Sequence, residues 1–300
     1  MGCTKRGELE MVSLETAKAN MARRGKIAEG LISMKRPELV DLFLTYQNEA
    51  LAARKFLESN LTELDPGAEI LEVGGGILAL AIQLASEGFK VTTVEPIGEG
   101  FTGISLIMEI FSEIARIEDL HFTLIESPIE NCTFENEFDF IFSINVMEHL
   151  EKPYLVLNQI QRILKPGGKY RFFCPNYDFP YEPHFGKILW IRKKGSFYLE
   201  FNKIRTLELG NIDSIGLYNS LNFLTVAKLQ DFARESNLLL TFNRDASYLL
   251  LQRSVSDPGL RTRHRRFVPI VDFLDKINFI GFIKHLPTRF QPVMDVTLNN

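Results

Sequence analysis

A run of apolar residues that ends in three consecutive glycines constrains the fold of this chain more than any other feature. The segment 69–78 reads Glu-Ile-Leu-Glu-Val-Gly-Gly-Gly-Ile-Leu. It predicts a buried strand, a sharp turn and then the start of a helix, because glycines let the backbone turn tightly and approach a ligand closely. In an open α/β sheet, this first turn between strand and helix is where a nucleotide-like ligand binds.

Short apolar runs alternate with amphipathic stretches on both sides of this turn. The runs predicted as strands are 68–73, 90–95, 120–126, 138–143 and 169–174. The stretches between them that are predicted as helices are 78–88, 101–116 and 154–164. Strands and helices that alternate at this spacing predict βαβ units and a parallel sheet covered on both faces.

The rest of the sequence extends this core at both ends. Residues 1–60 predict a helical N-terminal cap, and residues 61–253 predict the core, with a substrate-side insertion near 176–216. After a helix at 225–236 and a strand at 238–242, residues 254–300 predict an irregular, basic and amphipathic insertion over 254–291 and a last strand at 293–298. The expected fold is a doubly wound, Rossmann-like α/β sheet of seven mostly parallel strands with a helical N-terminal cap and C-terminal insertions.

Composition excludes several other classes of protein. The chain is 45% hydrophobic and 24% charged, which excludes a disordered or collagen-like chain. Three scattered cysteines, Cys3, Cys132 and Cys174, provide neither a disulfide framework nor a CxxC metal site. A formal net charge of −4 gives no sign of nucleic-acid binding. Since no secretory signal or transmembrane stretch is apparent, we expect a cytoplasmic protein.

Two acids beside the glycine turn indicate which nucleotide it binds. Glu95 ends the second predicted strand, where a carboxylate can accept both hydroxyls of a ribose. Glu72 lies within the turn, where it would repel a pyrophosphate but suits a ligand that carries an ammonium group. The glycine spacing alone also fits the GxGxxA form of a dinucleotide fingerprint, with Ala79 at its last position, so an NAD-linked enzyme stays an alternative. S-adenosylmethionine has an amine and a ribose, and it has no phosphate.

At these residues the sequence resembles the class I S-adenosylmethionine-dependent methyltransferases. The family's first motif, an acid followed by GxGxG, is matched by Glu72, Gly74 and Gly76, and it departs at the third glycine, where Leu78 stands. The family's ribose acid is matched by Glu95. The adenine-proximal motif is matched loosely at 124–129, whereas the fourth strand matches closely over 138–150 and the fifth motif over 162–168.

The resemblance implies an S-adenosyl-L-methionine cofactor and a set of residues that bind it. These residues are Glu72, Gly74, Gly75, Gly76, Glu95, Pro96, Glu126, Ser127 and Asn145.

The segment 174–186 carries the predicted acceptor side. It follows the fifth predicted strand, so we expect it beside the methyl group of the cofactor. Asn176, Tyr177, Tyr181 and Glu182 are its candidate substrate-binding residues. The segment resembles a PN-x-x-x-PYEPHFG signature of a bacterial branch of small-molecule methyltransferases. An ordinary aromatic loop packed on the core is the alternative.

Two histidines are candidate catalytic bases. His149 and His184 lie at predicted strand ends, where an imidazole can deprotonate an acceptor hydroxyl. For His149, a structural role at the start of a helix is the alternative. Glu148 and His149 together offer only two ligands to a divalent ion, so no metal site is predicted.

The absence of one motif narrows the class of molecule that could accept the methyl group. The Asn/Asp-Pro-Pro-Tyr motif of nucleobase N-methylation is missing after the fourth strand. We therefore expect a small molecule, or a lipid- or saccharide-linked intermediate, and O-methylation. A catalytically silent cofactor-binding module is the alternative function.

A basic cluster followed by an apolar stretch covers residues 261–290. Arg261, Arg263, Arg265 and Arg266 surround His264. This segment predicts either a peripheral contact with an anionic membrane or a helix packed on the domain or on the second chain of a homodimer.

Overall fold

The computed structural model describes residues 12–96, 102–135, 137–185, 187–188, 214–257, 260–261 and 267–300. These residues form two compact units. The first is built from the described parts of Met1–Phe142 and from Ile163–Gly168, and the second from the described parts of Ser143–Arg162 and Lys169–Asn300. The three-part division predicted from the sequence stays a prediction.

Seven strands form one sheet. They are β1 Glu69–Val73, β2 Lys90–Val94, β3 Thr123–Ile125, β4 Phe138–Ile144, β5 Leu164–Pro175, β8 Leu239–Asn243 and β9 Val293–Asn299. Their order is β3-β2-β1-β4-β5-β9-β8. β2 runs parallel to β1 and β3, whereas β9 runs antiparallel to β5 and β8. The predicted α/β fold is confirmed, and β1 lies where the strand order reverses, the usual place for a ligand in such sheets.

The described helices of the first unit are α1 Leu14–Lys35, α2 Val40–Phe56, α3 Glu58–Leu61, α4 Ala79–Ser86 and α5 Thr102–Ile117. One apolar core is shared by α1, α2, α4 and α5. Ser13 caps α1 by accepting a hydrogen bond from the amide of Thr16 at 3.2 Å. Ile32 and Phe43, from the first two helices, pack in the same cluster as Ile82 and Phe111 from α4 and α5. The N-terminal helices therefore bury their apolar faces against the helices that follow β1 and β2.

A buried ion pair joins α2 to the end of α4. The guanidinium of Arg54 donates from Nε to Oε1 and from Nη2 to Oε2 of Glu87, both at 2.8 Å. Only 2% of the Arg54 side chain and 4% of the Glu87 side chain are exposed. Arg54 also forms an ion pair with Glu58, four residues later in the chain. This bidentate geometry makes the pair a specific link between the two helices.

The second unit contains the remaining helices and a small hairpin. Its helices are α6 Pro153–Ile163, α7 Ser214–Ser220, α8 Val226–Glu235, α9 Ala246–Ser256 and α10 Val268–Lys276, and the hairpin pairs β6 Tyr181–Glu182 with β7 Lys187–Ile188. Inside its sheet, Arg171 on β5 makes a bidentate pair with the buried Asp295 on β9, at 2.9 and 2.7 Å. The two residues are on neighbouring strands, and they are offset by two positions because Asp295 is paired in register with Phe173.

The expectation of an irregular segment over 254–291 is wrong for its described part. α9 extends to Ser256, α10 covers Val268–Lys276, and short 3-10 turns follow at Ile280–His285 and Thr288–Phe290. Pro269 lies in the first turn of α10, where a proline starts a helix because no amide donor is needed there. The basic residues Arg263, His264, Arg265 and Arg266, the greater part of the predicted insertion, and Cys3 lie outside the described residues. Within the described parts, no helix combines the length and apolar character that crossing a bilayer requires.

Candidate active site

Three residues of the glycine turn adopt the left-handed backbone conformation. Gly74 has φ of 85° and Gly76 has φ of 52°. Gly75 is required for a different reason, because a Cβ built at this position would lie 2.2 Å from Oγ1 of Thr93. Leu78 also has a positive φ, 66°, although it carries a side chain.

Leu78 stands where the family that this chain resembles has the third glycine of its first motif. It immediately precedes α4, and its side chain is fully buried in the core of the first unit. A left-handed conformation costs a non-glycine residue about 1–2 kcal/mol, and burial of a leucine side chain contributes a comparable amount. The turn therefore keeps a glycine-like backbone at this position without a glycine.

The predicted ribose acid is bonded to the glycine turn. The amide of Gly76 donates to Oε2 of Glu95 at 2.9 Å, and the amide of Gly74 donates to the carbonyl of Val94 at 2.8 Å. Burial raises the pKa of Glu95, and the hydrogen bond from Gly76 opposes this rise. The end of β2 and the turn after β1 are thus joined by two hydrogen bonds, one of which positions the Glu95 carboxylate.

Glu72 is a buried acid on β1, just before the glycine turn. Only 5% of the residue is exposed, and its Oε2 atom has no hydrogen-bond partner among the described residues. Burial raises its pKa well above the ordinary value, the charge of Glu95 raises it further, and the Thr93 hydroxyl opposes both. A buried acid whose charge is uncompensated is suited to a cationic group of a ligand.

The remaining cofactor candidates lie at further strand ends. Pro96 and Glu126 are exposed, and Ser127 is half-buried. The amide of Glu95 donates to the carbonyl of Ile125 at 3.0 Å, which brings the ends of β2 and β3 together. In the second unit, Asn145 follows β4 with φ of 57°, and its amide donates to the carbonyl of Phe173 at 2.8 Å.

His149 lies on a turn after β4 whose backbone is held by Asn222. The Asn222 side-chain amide donates to the carbonyls of Met147 and Leu150 at 2.7 and 2.9 Å. Nδ1 of His149 is 2.8 Å from Oγ of Ser220. Burial lowers the pKa of His149 to about 4, with a further contribution from His184. The imidazole is therefore neutral at pH 7.

His184 is held by a buried carboxylate. Its Nδ1 is 2.6 Å from Oε1 of Glu182, which also accepts from the Tyr177 hydroxyl at 3.1 Å. The second oxygen of Glu182 accepts from the amide of Phe185 at 2.8 Å. Three donors thus fix the orientation of one carboxylate, and the carboxylate fixes the ring of His184.

The two histidines lie together, beside Glu148. Their ring centroids are 5.2 Å apart with an angle of 68° between the ring planes. Nε2 of His149 lies 4.0 Å and Nε2 of His184 lies 3.9 Å from Oε1 of Glu148. One ligand atom from each of the three side chains lies within 4.8 Å of the other two. His184 is therefore a third potential metal ligand beside Glu148 and His149, the two that were noted in the sequence.

The other predicted acceptor residues have different surroundings. Asn176 is fully buried, and its side-chain amide nitrogen donates to the carbonyls of Thr288, Arg289 and Gln291 at 3.2, 3.2 and 2.8 Å. Its side-chain oxygen accepts from two backbone amides, those of Asp178 and Val226. Tyr181 is half-buried and packs edge-on against Phe267, with centroids 4.7 Å apart. Their substrate-binding role stays a prediction.

A sequence-family model described as a methyltransferase domain matches residues 44–208, more than half of the chain. The chain belongs to the methyltransferase family. The resemblance to class I S-adenosylmethionine-dependent methyltransferases is thereby confirmed.

Individual relatives of this methyltransferase extend the comparison. An uncharacterized protein of Mycobacterium tuberculosis is 38% identical over 264 residues, which is 87% of this chain and 89% of that protein. A ubiquinone biosynthesis O-methyltransferase of Rickettsia typhi is 31% identical over 101 residues, 33% of this chain and 38% of that enzyme. A solved structure of a geranyl diphosphate methyltransferase in complex with S-adenosylmethionine aligns with a TM-score of 0.49 and 12% identity, covering 87% of this chain and 89% of that one.

Sequence reasoning missed several groups around the histidines of this methyltransferase. Ser220 and Asn222 hold His149 and its turn, yet they lie more than seventy residues further along the chain. Both residues lie between the predicted insertion near 176–216 and the predicted helix at 225–236, and a single serine or asparagine carries no pattern that would have indicated their role. Glu182 was predicted as a substrate-binding residue, and the short spacing Glu-Pro-His was an available signal for its contact with His184.

Proposed function

We propose that this methyltransferase transfers the methyl group of S-adenosylmethionine to a hydroxyl oxygen of a small molecule or of a lipid- or saccharide-linked intermediate. The hydrogen bond between Gly76 and Glu95 carries the cofactor part of the proposal, because it joins the ribose acid to the glycine turn. The paired histidines support the choice of oxygen, because a hydroxyl must lose a proton during transfer and an amine acceptor can be methylated as the free base.

The residues of the glycine turn fit the proposed cofactor. The Oε2 atom of Glu72, buried without a hydrogen-bond partner among the described residues, would accept from the ammonium group. Glu95 would accept from the ribose hydroxyls, and Gly75 keeps the turn in place beside it, because Thr93 fills the space that a side chain at this position would need. Glu126 and Ser127 would lie near the adenine.

Bound S-adenosylmethionine supplies an electrophilic methyl group, so that an O–C bond forms as the C–S bond breaks and the electron pair passes to sulfur. In the proposed reaction, Nε2 of His149 or of His184 accepts the proton that the acceptor hydroxyl loses. Both rings are suited to this role because their Nδ1 atoms are engaged by Ser220 and Glu182. The similarity to the ubiquinone biosynthesis O-methyltransferase, which spans a third of the chain, also supports methylation at oxygen.

Tyr177, Tyr181, Glu182 and Asn176 are proposed to shape the acceptor site. Tyr177 and Glu182 would act by holding His184, to which they are joined by hydrogen bonds. Asn176 would act by holding the segment 288–291 and the start of α8 in place. Tyr181, which is half-buried, would contact the acceptor directly.

The test measures cofactor binding and methyl transfer separately. Calorimetry gives the dissociation constant for S-adenosylmethionine, and transfer of a labelled methyl group is followed with a panel of phenols, sugars and lipid-linked hydroxyls. We expect His149→Ala and His184→Ala to lower kcat while the cofactor affinity stays unchanged. His121→Ala is the matched control, because 86% of that side chain is exposed.

Three outcomes would contradict the proposal in whole or in part. Absence of cofactor binding at near-millimolar concentration contradicts it entirely. Binding without transfer to any acceptor of the panel would support a catalytically silent binding module instead. A double variant of His149 and His184 that transfers methyl at the full rate would exclude both histidines as bases.

The cellular setting of this methyltransferase stays a prediction. We expect a cytoplasmic enzyme, either with a peripheral membrane contact through 261–290 or as a homodimer. In the described part of this segment, Phe273 and Phe282 are 59% and 52% exposed, and Arg261 makes a bidentate pair with Asp272. Sedimentation with anionic vesicles tests the membrane contact, and light scattering tests the dimer.

A further inference from the structure

The hydrogen bonds around His149 assign its tautomer. The hydroxyl of Ser220 donates to the carbonyl of Leu217 at 2.7 Å. Since a serine has a single hydroxyl hydrogen, Oγ of Ser220 must accept from Nδ1 of His149, 2.8 Å away. Nδ1 therefore carries the hydrogen of the neutral ring, and Nε2 carries the lone pair.

The contacts of His184 likewise place a hydrogen on its Nδ1 atom. Its Nδ1 faces a carboxylate oxygen of Glu182 at 2.6 Å, and a carboxylate is an acceptor only. Glu182 also receives hydrogen bonds from the Tyr177 hydroxyl and the Phe185 amide, as an ionised carboxylate does. Nδ1 of His184 therefore carries a hydrogen, and in the neutral ring its Nε2 has the lone pair that a metal ion would need.

Both lone-pair nitrogens lie near one carboxylate oxygen. Nε2 of His149 and Nε2 of His184 are 4.0 and 3.9 Å from Oε1 of Glu148, whose side chain is fully buried. The Glu148 backbone is held as well, since its carbonyl accepts from the amide of Asn222 at 2.8 Å. Three potential electron-pair donors thus lie within 4.8 Å of one another, and separations of this size leave space for an ion between them.

We propose that Glu148, His149 and His184 bind a divalent first-row transition-metal ion. Two imidazole nitrogens and one carboxylate oxygen are a ligand set for such ions, Zn²⁺ among them. Metal-binding histidines usually donate their other ring hydrogen to a carboxylate or another acceptor, as Glu182 and Ser220 accept here. Zinc ligands lie about 2.0–2.2 Å from the ion, so the three donors would move inward by a few tenths of an ångström.

Three protein ligands would leave a coordination position open for water or an acceptor oxygen. This consequence rests on the proposed methyl transfer, whereas ion binding itself does not. In the metal-loaded protein the two Nε2 atoms would be ligands, so coordination would lower the pKa of the acceptor hydroxyl and its proton would pass to solvent water instead of to a histidine.

The test is a metal titration of the full chain without cofactor or acceptor. A chelator first removes bound metal from the protein, and dialysis removes the chelator. Zn²⁺ binding is then measured by calorimetry in the presence of a second, chromophoric chelator that competes for the ion. We expect one Zn²⁺ per chain for the wild type and for His121→Ala, and at least 100-fold weaker binding for Glu148→Gln, His149→Ala and His184→Ala. Binding of Co²⁺ should give visible absorption bands of a four- or five-coordinate ion, and these bands should disappear in the three variants.

A measurement on the unaltered chain covers the case in which a variant fails to fold. Modification by diethylpyrocarbonate, followed by mass spectrometry, should show that Zn²⁺ protects His149 and His184 and leaves His121 reactive. Equal Zn²⁺ affinity in the wild type and in the His149→Ala/His184→Ala double variant, or equal modification of all three histidines with and without Zn²⁺, would overturn the proposal. Because no methyl transfer is measured, failure of the proposed function would leave this result unaffected.

Discussion

The amide of Gly76 donates a hydrogen bond to the carboxylate of Glu95 across 2.9 Å. The two residues belong to the ends of adjacent parallel strands, since Gly76 follows β1 and Glu95 follows β2. A carboxylate accepts several hydrogen bonds, so this bond positions Glu95 and leaves it able to bind a ligand hydroxyl. The finding gives the two family motifs a direct physical connection.

The first prediction concerns cofactor affinity. Glu95→Gln removes the charge of the proposed ribose acid and keeps its size. We expect S-adenosylmethionine to bind about 1–3 kcal/mol more weakly, the range of hydrogen bonds to a charged group. Calorimetry measures the change, and Glu109→Gln, an exposed acid on α5, is the control. Unchanged affinity for Glu95→Gln would place the ribose elsewhere.

The second prediction concerns the contact between Gly75 and Thr93. Gly75→Ala places a methyl group 2.2 Å from Oγ1 of Thr93, so we expect about 1–3 kcal/mol of lost stability in denaturant unfolding. The double variant Gly75→Ala/Thr93→Ala removes the obstructing atom and should recover most of that loss. If the double variant is as unstable as the sum of the two single changes, the steric explanation fails.

The third prediction concerns pH and the buried acid Glu72. Its pKa in the folded protein is raised by burial and by the charge of Glu95. A raised pKa means that the folded state holds the proton more tightly than the unfolded state. The resulting stability is fully present below about pH 4.3, the pKa of an unfolded glutamate, and is lost as the pH rises through the folded pKa.

Glu72→Gln should therefore stabilise the protein at high pH. We expect about 1–3 kcal/mol at pH 8.5, the cost of a buried charge without partners, and a smaller gain at pH 5.5. Urea unfolding of both proteins at the two pH values measures this difference. The same variant should bind S-adenosylmethionine more weakly, because it cannot balance the ammonium charge. A gain of stability that does not change with pH would contradict the assignment.

The fourth prediction concerns the link between α2 and α4. Arg54→Ala leaves the carboxylate of Glu87 buried without its bidentate partner, so we expect about 3–5 kcal/mol of lost stability. Arg54→Met/Glu87→Leu, which replaces both charges with apolar groups, should recover most of this loss. Thermal unfolding measures both variants.

The control for this prediction is an exposed pair. Arg116 and Glu113 are joined by the same kind of bond on the surface of α5, and solvent screens their charges. Arg116→Ala should leave the unfolding temperature unchanged within error. A loss at Arg116 equal to that at Arg54 would show that burial is not the cause.

The amino-acid sequence by itself determined the strand that ends in glycines, the acids beside it and the alternation of strands and helices. These features follow from local rules, because glycine conformation and the spacing of apolar residues act within a few positions of the chain. For the same reason the seven-stranded sheet could be predicted with small errors at its ends, such as β3, which covers Thr123–Ile125 in place of 120–126. The bounds of the helix at Val268–Lys276 were not predicted, although a packed helix was one of the two readings of residues 261–290.

Only the tertiary structure decided which polar groups meet. Ser220 bonds to His149 and Glu148 lies near His184, although the two residues of each pair are separated by tens of positions in the chain. Asn176, predicted at the acceptor site, uses its amide to hold backbone groups more than a hundred residues away. The physical reason is that a polar side chain takes its role from the partners that folding brings within about 3 Å, and no local pattern in the sequence encodes those partners.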